Sequence, residues 1–280
     1  MSDWLMQSNY MIMILQVFIT LVLVPLLSIK KLVNIANHYG LVRYPNAKPD
    51  VEQVLITSKK SYWTVVIVIL SLVSVMVGHA ITQQTELLNW DDQSGLMLIY
   101  LLSMIPVIYM TFIHRKIFYI FKKYAGSKRS ASLKVRTWKD YISTPYLLLI
   151  ITGNLVYVAT VLYFVQHPFV GFAGLGNIFG LIALDVLFMM IIIAMYKDNK
   201  TYSIEQPEYR FALKKRAIHI NMLILAIAVF HVSLSMWVQG TELVSYKIII
   251  QSVYFQLMLV MTAFALTLPK SIYEVNRSEY

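Results

Sequence analysis

Hydrophobic residues along this chain fall into long unbroken runs separated by short polar stretches rich in lysine and arginine. Neither a helical 3.6-residue stripe nor strict strand alternation describes the runs. They are apolar on every side, which is the pattern of helices bathed in lipid. A bilayer core of ~30 Å takes about 20 helical residues. Seven runs meet that length: 10–29, 62–82, 96–113, 143–165, 174–196, 217–238 and 245–268. The predicted fold is all-α, a polytopic membrane bundle of seven helices forming a single transmembrane domain over 1–280. A β-barrel would instead show short alternating segments.

The basic residues orient the bundle. Of 24 lysines and arginines, all but Lys247 fall in the predicted loops 30–61, 114–142 and 197–216 or in the C-terminal tail. The opposite side carries Asp3, Glu86, Asp91, Asp92 and Glu242. Cytoplasmic loops hold the excess of lysine and arginine, so the N-terminus is predicted outside and the C-terminus in the cytoplasm. The first run lacks a basic leader and is followed by Lys30 and Lys31, so it reads as a retained helix and not a cleaved signal. Trp4, Trp63, Trp90, Trp138 and Trp237 fall at or near run ends, as an interfacial aromatic belt requires. The short outer loops make helices two–three, four–five and six–seven antiparallel hairpins.

Composition agrees with this reading. Of the 280 residues, 58% are hydrophobic and 14% charged, against roughly 25% charged in soluble domains. Mean hydropathy is +0.64. The net charge of +10 would suggest nucleic acid in a soluble protein. Here topology already accounts for it, and the expected basic-side partner is anionic lipid. There is no cysteine, which excludes disulfides, thiolate metal sites and cysteine nucleophiles. The plasma membrane, specifically a bacterial inner membrane, is the expected location. Other membrane subunits or further copies of the chain are the possible protein partners.

Several local features read as structure. Segment 30–41 extends the first helix or lies in the interface, and 44–49 (YPNAKP) is a turn-rich break. Ser71, Ser74, Gly78 and Thr82, and the G-x-x-x-G of Gly176 and Gly180, predict faces of close helix approach. Pro106 is expected to break the third helix. The glycine-rich loop 168–177 lacks the lysine and context of a phosphate cradle.

Candidate chemistry lies at membrane depth, where an ionisable side chain is costly and marks a functional hypothesis. Counted from the outer helix ends, Asn154, Asp185 and Gln256 each lie about 11 residues in, or ~16 Å, close to the midplane. His231 and Gln251 lie about one turn higher, with Tyr254 one turn from Gln251. Gln16 adds an amide in the first helix. A carboxyl withdrawn from water favours its neutral form, so Asp185 is the expected proton-binding group. The same residues could also serve only to join helices.

The leading expectation is a small-solute or ion permease with a protonatable site at Asp185, Asn154, His231, Gln251, Gln256 and Tyr254, and with no cofactor or metal. The alternative is a non-catalytic subunit or receptor in which the polar layer only holds helices together. A further alternative is a b-type haem electron carrier using His79, His231, His114 and His219 as paired axial ligands. Against haem, His79 is about 3 residues from the outer surface and His231 about 7, a ~6 Å mismatch. A retinal protein is excluded because the seventh run has no mid-membrane lysine. No catalytic motif of a zincin, an α/β-hydrolase or a di-iron oxygenase is present, which argues against an enzyme.

Overall fold

The computed structural model describes residues 3–37, 41, 44–85, 87–88, 94–125, 136–197, 207–241, 243 and 246–265. The sequence-based placements of Glu86, Trp90, Asp91, Asp92, Lys128, Arg129, Lys134, Glu242, Lys270 and Arg277 lie outside them. Within the described residues the chain is helical and has no strand. In chain order it forms α1 (Asp3–Val17), a π-helical segment (Phe18–Leu23), α2 (Val24–Ile35), a 3₁₀ turn (Pro45–Ala47), α3 (Lys48–Thr82), α4 (Ser94–Ala125), α5 (Trp138–Tyr141), α6 (Thr144–Gln166), α7 (Gly176–Lys197), α8 (Pro207–Gly240) and α9 (Lys247–Ala265). Six helical stretches are long and apolar enough to cross a membrane: Gln7–Ile35, Pro45–Thr82, Ser94–Phe121, Thr144–Gln166, Gly176–Lys197 and Phe211–Gly240. The seventh predicted run is a shorter apolar helix, α9.

Three helices run well past the predicted spans, so much of the predicted loops 30–61, 114–142 and 197–216 is helical. Hydropathy marks where lipid contact ends, whereas a helix continues as long as its stripe finds a partner. In α3 the buried residues are Val51, Ser58, Tyr62, Val66, Ile69, Val73, Val77 and Ala80. Their spacing is close to a heptad seam and begins eleven residues before the predicted span. In α4 the row Ile113, Ile117 and Phe121 continues the stripe and packs with Val51 and Tyr62. Ser61 Oγ and Tyr109 Oη lie 2.6 Å apart there. Beyond the apolar part, Tyr124 gives its hydroxyl to Asp50 Oδ2 at 3.0 Å, and Lys123 Nζ stands 3.4 Å from the same oxygen. The bond to the Asp50 carboxylate holds the Tyr124 phenol above its ordinary range. Pro106 does not break α4, which continues through it. A transmembrane helix tolerates proline where neighbouring groups satisfy the freed backbone.

The chain divides into two compact units. The first takes in residues 1–128 and 248–280, hence α1 to α4 and all of α9 but Lys247. Its core joins Tyr10, Met13 and Leu21 to Val73 and Val77 of α3, Leu96 and Ile99 of α4, and Phe255 of α9. Tyr10 Oη ties α1 to the end of α3 through the carbonyls of Thr85 (2.9 Å) and Ala80 (3.2 Å). Exposed Ile67, Val68, Leu72 and Val75 cover the outer face of α3, as suits lipid.

The second unit, residues 129–247, contains α5 to α8. One cluster packs Tyr157, Val161 and Phe164 of α6 against Leu181 of α7 and Leu225, Val229 and Met236 of α8. At one end Trp237 stacks on Tyr163 with centroids 4.8 Å apart and donates from Nε1 to Thr160 Oγ1 at 3.2 Å. At the other, Trp138 and Tyr141 meet Tyr196 edge-on. Lys214 is buried, and its Nζ donates to the Tyr196 carbonyl at 3.0 Å, which caps the C-terminal end of α7.

The predicted small-residue faces are not sites of close approach. Ser71, Ser74 and Thr82 are exposed, and a methyl group placed on Gly78 or Gly180 would meet nothing within 4 Å. Close approach occurs instead at Gly153, where such a methyl would stand 3.4 Å from Phe230 Cε2, and at Gly240, which lies under Phe164 and Phe169. The glycines of the loop 168–175 act through their backbone, since Gly171 and Gly174 have φ of 85° and 60°.

Candidate functional site

Asp185 sits near the middle of α7 and Asn154 near the middle of α6. The tight glycine turn between these helices folds them into a hairpin and brings their midpoints to one level. Tyr157 fastens the hairpin by donating its hydroxyl to the Asn177 carbonyl at 3.0 Å. Deeper along it, Asn154 Nδ2 donates to Asp185 Oδ2 at 2.7 Å, the short end of the N–H···O range. The other oxygens of the two groups, Asn154 Oδ1 and Asp185 Oδ1, are shut off from solvent and have no hydrogen-bond partner. Leaving one such acceptor unsatisfied costs about 1–3 kcal/mol.

The pair lies in apolar surroundings. Leu181, Leu184 and Phe188 flank Asp185 along α7, and Ile150 and Val158 flank Asn154 along α6. The ion pairs among the described residues, Lys48–Glu52 and Lys123–Asp50, do not involve Asp185. A carboxylate there has one amide donor and no countercharge. Such a group can exchange a proton or hold a cation, and its apolar setting penalises the bare anion.

The remaining predicted site residues distribute as follows. His231 is in the same unit, on α8, with Nε2 3.4 Å from Ser235 Oγ of its own helix. Gln251, Tyr254 and Gln256 belong to the first unit. The ring of Tyr254 packs 5.8 Å from that of Phe255. Gln256 Nε2 donates to Ser252 Oγ at 3.0 Å, Ser252 Oγ donates to Gln16 Oε1 at 2.8 Å, and Gln16 Nε2 donates to the Leu96 carbonyl at 3.1 Å. Thr20, in the π-helical segment, donates to the Gln16 carbonyl at 2.7 Å, and Ser103 Oγ lies 2.9 Å from Thr20 Oγ1. Gln16, Thr20, Ser103 and Ser252 are each 0% exposed. This relay joins α1, the π segment, α4 and α9 and is satisfied along its length.

Sequence reasoning noted Gln16 but left it out of the site, and missed Thr20, Ser103 and Ser252. The signal was present as a pairing, since Gln16 with Thr20 and Ser252 with Gln256 each place an amide and a hydroxyl four residues apart on one face.

The four candidate histidines divide between the units, His79 and His114 in the first and His219 and His231 in the second. His79 lies near the end of α3 that adjoins the start of α4, whereas His114 is about 20 residues, or ~30 Å, along α4. His231 and His219 stand 12 residues apart on α8, or ~18 Å. His219 Nε2 is already 2.9 Å from Ser143 Oγ, and its ring stacks on Tyr146 at 4.5 Å. Neither the His79–His114 nor the His219–His231 separation lets one haem bridge the two rings, and the pairs expected from the sequence, His79 with His231 and His114 with His219, each take one histidine from each unit. Among the described residues there is no cluster of three or more His, Asp or Glu able to hold a metal ion. No protein-family model, curated protein or solved structure matches the chain.

Proposed function

We propose that this chain is an integral membrane permease for a small solute or ion, working through uptake and release of a proton or cation at Asp185 and Asn154. The observation that carries the reading is the pair itself: an amide and a carboxyl hydrogen-bonded inside an apolar hairpin, with two buried oxygens still lacking a donor. A purely structural link between helices would satisfy its polar groups, as the Gln16 relay does. His231, on α8 of the same unit, is assigned to the same functional layer by its depth along its helix, while Gln251 and Tyr254 belong to the first unit. Gln256, within the satisfied relay, has the stronger claim to a structural role. The distribution of basic residues supports seven spans with α9 as the last, an outer N-terminus and a cytoplasmic C-terminus. It also supports contact with anionic lipid in a plasma membrane, a bacterial inner membrane by this reading.

The test is proton flux in proteoliposomes, followed with an entrapped pH dye, for the wild type and Asp185→Asn. Flux that is lost in a variant of unchanged thermal midpoint supports the permease. Equal flux in the two proteins refutes Asp185 as the site. A second reading, a non-catalytic subunit or receptor, is favoured by the satisfied relay in the first unit. It gains if neither protein carries flux and Asp185→Asn simply lowers the midpoint.

A further inference from the structure

We propose that Asp185 rests as a neutral carboxylic acid closed into a two-hydrogen-bond ring with Asn154, so that the ion exchanged here is a proton and not a metal cation. This deepens, and rests on, the reading of the pair as the permease's ion site.

An amide and a carboxyl are planar two-atom forks of similar width. One pair of prongs is joined, with Asn154 Nδ2 donating to Asp185 Oδ2 at 2.7 Å. The other prongs, Asn154 Oδ1 and Asp185 Oδ1, are both oxygens, both buried and both without a partner. If Asp185 is ionised, both are acceptors and neither helps the other. Turning the amide over does not help, because a carboxylate offers no hydrogen and the amide always presents one oxygen. A proton on Asp185 Oδ1 donates to Asn154 Oδ1 and satisfies both orphans with a single bond.

The surroundings point the same way. The flanking side chains Ile150, Val158, Leu181, Leu184 and Phe188 offer no ligand and no charge. On the helices packed about the pair, Lys197, Lys214, Lys215 and Arg216 stand near one end. Tyr157 is committed to Asn177, and His231 sits beside Ser235. Hard cations take six or more oxygen ligands, whereas two orphan oxygens are on offer here. A proton needs one lone pair and one acceptor. Uptake forms the O–H bond at Asp185 Oδ1 from a proton delivered by water on one side. Release breaks that bond, returns the proton to water on the other side, and leaves the carboxylate with the single Asn154 bond.

Infrared spectroscopy of the full-length protein in lipid at neutral pH tests the assignment, with aspartate carrying ¹³C in its side-chain carboxyl. The expected result is a carboxylic-acid carbonyl stretch that shifts on labelling and disappears in Asp185→Asn. In Asn154→Leu the band should persist but move to higher frequency, because the bond to Oδ2 is gone. Asp185→Asn exchanges an acid–amide ring for an amide–amide ring of the same shape, so folding is expected to survive. If it does not, the labelled wild type alone decides whether a buried neutral aspartic acid exists. Only carboxylate bands at neutral pH, or an acid band unchanged in Asp185→Asn, would overturn the proposal. So would a thermal midpoint higher in sodium chloride than in choline chloride and insensitive to cation in Asp185→Asn. An acid band without proton flux sinks the permease and keeps the ring. Flux without the band sinks the ring and keeps the permease.

Discussion

Replacing Gln16 with leucine removes the centre of the buried relay in the first unit while nearly conserving volume. Two side-chain bonds go: the one donated to the Leu96 carbonyl at 3.1 Å and the one accepted from Ser252 at 2.8 Å. Side-chain hydrogen bonds between membrane helices average ~0.6 kcal/mol and reach ~1.7 kcal/mol. Two of them at a site with 0% exposure therefore come to about 1–3 kcal/mol. The value should fall in the lower half of that range, because a serine hydroxyl in a helix can turn to the carbonyl four residues back. Ser252→Ala likewise removes two bonds, to Gln16 and from Gln256, and should cost about 1–2 kcal/mol. The two changes share one bond, so the double variant should lose less than the sum, with a coupling of about 0.6–1.7 kcal/mol. Reversible unfolding in mixed micelles, titrated with a denaturing detergent and followed by circular dichroism, measures all three variants. Ser233→Ala serves as the control partner, because Ser233 bonds only the Val229 carbonyl of its own helix, at 2.9 Å. Additivity of Gln16→Leu with Ser252→Ala within ~0.3–0.5 kcal/mol would show that the relay is not an energetic unit.

Gly240→Ala puts a methyl group into the Phe164 ring and should cost about 1–3 kcal/mol in the same unfolding assay. Gly180→Ala meets nothing within 4 Å and should be neutral or stabilising by up to ~1 kcal/mol, although a G-x-x-x-G motif would suggest the reverse. Lys214→Met removes the buried ammonium that caps α7 and should destabilise by about 1.5–3 kcal/mol, read as a lower midpoint. The Tyr124–Asp50 bond adds a pH signature. A phenol whose folded value is raised contributes stability that is fully present below its free value of about 10 and is lost as pH rises toward the folded value. Alkaline melting curves should therefore fall less steeply for Tyr124→Phe than for the wild type, and identical slopes would refute the coupling.

What the sequence made legible is what hydropathy governs. Runs 143–165 and 174–196 coincide with α6 and α7 to within two residues, because lipid contact and helix ends nearly coincide where a turn follows at once. The long helices α3, α4 and α8 were underestimated because packing against neighbouring helices, and not lipid, holds their ends. The stripe of Val51, Ser58 and Tyr62 lies in a stretch too charged for a hydropathy scan to reach. The small-residue motifs misled for a related reason. A glycine permits close approach without requiring it, and the approach occurs where an aromatic partner exists, at Gly153 and Gly240.

The polar residues show the same division more sharply. Depth counting placed Asn154 and Asp185 on one level, and the hairpin turn makes that level a hydrogen bond. Depth counting cannot separate a satisfied amide from an unsatisfied one, because both are simply polar residues in an apolar run. Gln16 and Asn154 are alike in sequence terms and opposite in structure. No buried polar atom of the Gln16 side chain's relay lacks a partner, and the cost of removing it is a loss of stability. Two oxygens at Asn154 and Asp185 have no partner; under the proposed reading a proton joins them, and a site that is complete only when loaded is one whose occupancy can be used to do work.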